Sequence, residues 1–117
     1  MAKKYKLEEI EHSLREGNIL YSSWGYDQTN VDFYQVVRIT PKKVVLRELQ
    51  TLIKETGFMC GEASTLPNLF KDHNKANPNL ITCKVSHSKY FGDCVYFRYR
   101  GAAQKWDGEP KFASWYA

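Results

Sequence analysis

Apolar and polar residues alternate at every second position through much of this chain, the pattern of strands with one covered face. Asn18 to Ser23 sets Ile19 and Tyr21 against Leu20 and Ser22. In Asp32 to Ile39, Phe33, Val37 and Ile39 fall on one face and Tyr34, Val36 and Arg38 on the other. Both faces carry apolar side chains, which predicts a central or strongly curved strand. Thr40-Pro41-Lys42-Lys43 reads as a turn, because proline fixes φ and restricts the residue before it. Val44 to Leu49 then runs back, giving a three-stranded antiparallel meander.

The same alternation returns in the second half. Leu80 to Ser86 points Ile81, Cys83 and Val85 inward and Thr82, Lys84 and Ser86 outward. Cys94 to Arg100 repeats it with Val95, Phe97 and Tyr99, and Lys111 to Tyr116 makes a final strand. Tyr90 to Asp93 and Trp106-Asp107-Gly108 are turns. A helical period appears once, where Leu7, Ile10 and Leu14 form one stripe ended by Gly17, with Glu11 and Arg15 as an i,i+4 pair. That helix is too short to stand alone and must pack on the sheet. Gln50 to Asn79 fits neither period cleanly: its start reads equally as strand or helical turn. The rest is an excursion pinned by Leu66, Leu69 and Phe70.

These elements predict a single domain, 1–117, of mainly β (α+β) class. The expected architecture is a small curled antiparallel barrel, SH3-like or OB-like, with one short N-terminal helix. An open antiparallel sheet with the helix on one side is the alternative.

The candidate chemistry gathers at Tyr21 to Gln35, read YSSWGYDQTNVDFYQ. Its loop sets Trp24 and Tyr26 beside Asp27, Gln28 and Asn30, flat rings next to groups that read base edges or form a protein hot spot. Asp27, Thr29 and Asn30 also suit the turn itself, since short polar side chains bond to nearby backbone. A second candidate binding patch is Tyr96 with Arg98 and Arg100, whose planar guanidinium groups fit phosphate or carboxylate.

Charge sharpens this picture a little. The chain of 117 residues carries a formal net charge of +4. Met1 to Gly17 is balanced, whereas Arg38 to Lys105 holds twelve Lys and Arg against five Asp and Glu. That excess favours an anionic partner. Cys60, Cys83 and Cys94 are an odd number at wide spacing, which reads as free thiols in a cytoplasmic protein. No apolar run approaches the ~20 residues that span a bilayer, so no membrane partner is expected. Cys60, His73, Cys83, His87 and Cys94 lack the close pairs that seed a zinc site, so no metal is expected. No GxGxxG, P-loop or HExxH pattern occurs, and no cofactor is expected.

SSWGYDQTNVDFYQV and the closing WDGEPKFASWYA resemble small uncharacterised proteins encoded by phages and other mobile genetic elements. The resemblance implies an intracellular accessory protein acting on nucleic acid or on a host defence component, and it transfers no functional residues. The leading expectation is a non-enzymatic binding module whose partner is nucleic acid. A host protein, inhibited or modulated by contact, is the first alternative. The second is a small nucleic-acid-directed hydrolase using Asp27, Asp32 or His87.

Overall fold

A computed structural model describes residues 5–25, 28–72, 78–90, 92–97 and 101–115. Among them are ten strands: β1 (Ile19–Trp24), β2 (Asn30–Ile39), β3 (Lys43–Leu49), β4 (Leu52–Gly57), β5 (Cys60–Ser64), β6 (Leu80–Lys84), β7 (Ser86–Ser88), β8 (Gly92–Phe97), β9 (Gly101–Lys105) and β10 (Lys111–Ser114). Seven form one antiparallel sheet in the order β6-β3-β2-β1-β9-β8-β7, and three form a second, β10-β5-β4.

One residue dictates the shape of the larger sheet. Strands β6 and β7 are its two edges, yet only Val85 separates them in sequence. Six inter-strand gaps of about 4.8 Å would set the edges of a flat sheet roughly 29 Å apart. Two Cα steps span only about 7 Å. The sheet must therefore curl until its edges meet, and β6 does contact β8 across the seam. The Val85 backbone N–H donates to the Lys42 carbonyl at 2.9 Å, tying this crossing to the β2–β3 turn. The result is the mainly-β, curled antiparallel half-barrel of SH3 or OB kind that the alternation predicts.

The curl encloses an inner core of Leu20, Tyr34, Val36, Leu46, Val95 and their neighbours. Its outer face carries Val31, Phe33 and Leu49, covered by Ala63 and Ala113 of the smaller sheet. Strand β2 thus serves two cores at once, and a bulge at Val37 sets how. Val36 pairs with Leu46 but Arg38 pairs with Val45, leaving Val37 as the extra residue. A one-residue slip exchanges the faces. Ile39 consequently packs with Val36 in the inner core, not with Phe33 as simple alternation predicts.

The N-terminal segment corrects a second expectation. Only Leu7–Glu9 is helical, as one 3-10 turn, and Leu7 is 65% exposed. The barrel takes the donors that an α-helix would use. Glu11 N–H bonds the Pro41 carbonyl at 2.8 Å, Ser13 N–H bonds the Asp93 carboxylate at 2.5 Å, and Gly17 N–H bonds the Val36 carbonyl at 2.8 Å. So anchored, the segment runs across the barrel and buries Leu14 completely in the inner core.

Gln50 to Asn79 resolves at its start as strand. The β4–β5 hairpin joins β10 to make the smaller sheet, and Phe70 bridges back to Leu49. Phe70 packs on the outer core, as expected, but Leu66 is 57% exposed and pins nothing.

Leu14→Ala should cost about 2–5 kcal/mol of unfolding free energy, because it empties a fully enclosed site. Leu7→Ala, on the same predicted stripe, should cost less than about 0.5 kcal/mol. Urea unfolding of both variants checks the pair. Equal losses would restore the amphipathic helix.

Candidate functional site

Trp24 ends β1 directly across from Asn30. Its indole Nε1–H donates to the Asp32 carboxylate at 2.6 Å, which fixes the ring at the mouth of a cleft. The intervening turn depends on Gly25, at φ +127°, where an added Cβ would lie 2.0 Å from the Gln28 carbonyl oxygen. Gln28 Nε2 donates to Asn30 Oδ1 at 3.3 Å, so the two amides form one unit beside the ring.

This loop is clamped to the smaller sheet. Thr29 N–H donates to the Ser114 hydroxyl at 2.8 Å, and Ser114 N–H donates to the Thr29 carbonyl at 3.0 Å. Trp115 follows, its N–H held by the Met59 carbonyl at 2.9 Å. The clamp leaves a cleft of 380 Å³ between the sheets, walled by Trp24, Trp115, Leu49 and Ile53, with Asn30, Asp32 and Lys71 among its polar lining. Lys71 is tethered loosely to Glu48 at 3.4 Å and remains 66% exposed. Indoles, a carboxylate, an amide and an exposed ammonium suit a flat, hydrogen-bonding ligand that carries negative charge elsewhere.

Of the residues that the sequence singles out, Trp24, Gln28 and Asn30 stand together at this cleft or its rim. Tyr26, Asp27, Arg98 and Arg100 lie outside the described residues. Tyr96 is elsewhere. It pairs with Ala102 on β9, while Val95 beside it points into the inner core. Tyr96 is 56% exposed and does not line the cleft. The neighbouring Cys94 thiol raises its phenol above the ordinary value.

Asp32 and His87, named for hydrolysis, line different cavities. Among the described residues no group of three His, Cys, Asp or Glu is placed to hold a metal ion. No helix among them is long and apolar enough to cross a membrane. Trp115 and Lys71 are among the cleft residues that sequence reasoning missed: one reads as a packed terminus and the other as part of a polar excursion.

No family model, curated protein or solved structure matches the chain. The fold and the cleft together define a small half-barrel domain with an aromatic, polar-lined recess.

Gly25→Ala should destabilise the protein by about 1–3 kcal/mol, through strain at positive φ and the contact with the Gln28 carbonyl. Amide exchange at Thr29 and Ser114 should accelerate in step, because the clamp loses its geometry. Unchanged protection at both amides would show that the turn does not hold the cleft.

Proposed function

We propose that this protein is a binding module whose inter-sheet cleft accepts a planar ring, a nucleobase of single-stranded nucleic acid. The observation that carries the reading is the pair of indoles, Trp24 and Trp115, on one recess that also contains Asn30 and Asp32. Stacking supplies affinity for any base, and the amide and carboxylate distinguish edges by donor and acceptor pattern. Lys71 and the basic central region supply attraction to the phosphate backbone. An unpaired base enters such a recess, whereas a duplex base is held in its own stack. On this reading the protein is a cytoplasmic accessory factor of a mobile element, without catalysis of its own.

A second reading, contact with a host protein, is favoured by Phe58. This ring is 88% exposed at the β4–β5 turn, next to Met59 at φ 56°, a strained position for a residue other than glycine. A displayed aromatic of this kind anchors protein interfaces.

Fluorescence anisotropy with labelled oligonucleotides of about twelve nucleotides separates the two. Single strands should bind more tightly than duplex, and more weakly at about 200 mM salt than at about 50 mM. Trp24→Ala and Trp115→Ala should each cost about 1–3 kcal/mol of binding, with folding checked by circular dichroism. Binding that ignores both substitutions, or no binding at low salt, would overturn the nucleic-acid reading.

A further inference from the structure

Cations crowd one corner of the larger sheet. Arg38, Lys42, Lys43 and Lys84 are exposed there, near the end of β2, in the turn, at the start of β3 and at the end of β6. Lys43 sits directly opposite Lys84 in the β3–β6 ladder. Arg38 is opposite Val45, which is opposite Thr82 in turn. Directly opposed residues share a face. The residues that alternate with them, Val44, Leu46 and Cys83, pack in the inner core. Arg38, Lys43, Lys84 and Thr82 therefore stand together on the convex face.

This arrangement works against the fold. Like charges directly opposite each other destabilise a ladder. None of the four cations has an ion-pair partner among the described residues. Glu11 lines a hollow with Lys42 and Lys84 but forms no ion pair with either. Lysine on an edge strand such as β6 wards off pairing with another sheet, yet that accounts for Lys84 alone. Unpaired cations held together against their own repulsion suit an anion supplied from outside.

The surroundings select which anion. None of the exposed large hydrophobics among the described residues belongs to β2, the β2–β3 turn or β3. Leu80, the one on β6, lies at that strand's other end, opposite Arg47. A protein interface is anchored by such side chains, and this corner offers none. A phosphate backbone is held by lysine, arginine and hydroxyl groups, and Thr82 is exposed in the same row as Arg38.

Strand β3 connects this corner to the inter-sheet cleft. Lys43 begins the strand, and Leu49, a wall of the cleft, ends it about 20 Å away. At about 3.4 Å per nucleotide, the spacing within one strand of a duplex, that span is about six nucleotides. A short single strand reaches both places.

We propose that the corner of Arg38, Lys43 and Lys84 holds phosphates of the same single strand whose base enters the cleft, an inference that rests on the base-binding reading of that cleft.

The test is fluorescence anisotropy of the full chain with a labelled single strand of about twelve nucleotides, across a salt series. Lys43→Gln combined with Lys84→Gln should weaken binding about tenfold or more at about 50 mM salt. The slope of log affinity against log salt should flatten by about 1.4, twice the roughly 0.7 per phosphate of single strands. Arg38→Gln alone should flatten it by about 0.7. In urea the lysine variant should unfold at or above the parent's midpoint, because the opposed charges are gone. Parent-like affinity and slope in both variants, with binding still weakened in Trp24→Ala, would overturn the corner and leave the cleft standing. No binding by the parent, or binding indifferent to Trp24→Ala, would overturn the cleft reading and this proposal with it. Polyglutamate binding the parent as tightly as the oligonucleotide does would overturn the proposal in favour of an acidic protein.

Discussion

Val85 is the constraint on which the architecture rests. Joining opposite edges of a seven-stranded sheet through one residue leaves no flat arrangement available, so the sheet closes on itself. Closure creates an inside for Leu20, Tyr34, Val36, Leu46 and Val95. It also leaves a convex outside that needs a second cover, which the β10-β5-β4 sheet supplies. The seam is reinforced by the N-terminal segment, whose Leu14 enters the inner core while its backbone donors bond Pro41, Asp93 and Val36. A hydrophobic stripe that looks helical is thus used as an extended strap.

Much of this was legible in the residue pattern. The alternation of β2, β3, β6 and β8 follows from half-buried pleats, and the two-sided apolar character of Asp32 to Ile39 correctly signals a strand buried on both faces. What the pattern hides is equally physical. Strands β5 and β9 read CGEAS and GAAQK, small residues with weak strand preference. They are strands because close approach demands it: a Cβ on Gly61 would stand 2.4 Å from the Lys54 carbonyl oxygen, and Ala63 and Ala103 are fully buried. The Val37 bulge is likewise invisible in composition, since valine and arginine fit either face, and it moved Ile39 to the inner core.

The candidate site was half legible. Trp24, Gln28 and Asn30 stand within one loop and announce themselves. Trp115 is far away in the chain and arrives through the pairing of β10 with β5 and the Thr29–Ser114 clamp. Lys71 arrives through the return of the chain beside Leu49 and Glu48. A recess assembled from three distant segments cannot be read from local pattern. Of the second patch, the described residue Tyr96 does not line the cleft that Trp24 walls.

The chain holds three tryptophans, and the structure gives them different roles. Trp24 and Trp115 wall the cleft, whereas Trp106 packs edge-on to Phe33 at 5.0 Å with its Nε1–H bonded to the Glu109 carbonyl at 2.8 Å. Indole N–H signals followed during titration with a short single-stranded oligonucleotide test the cleft as the ring-binding site most directly. The account predicts that the Trp24 and Trp115 signals move together and saturate while that of Trp106 stays in place. Movement of Trp106 alone, or binding with all three signals unmoved, would contradict it.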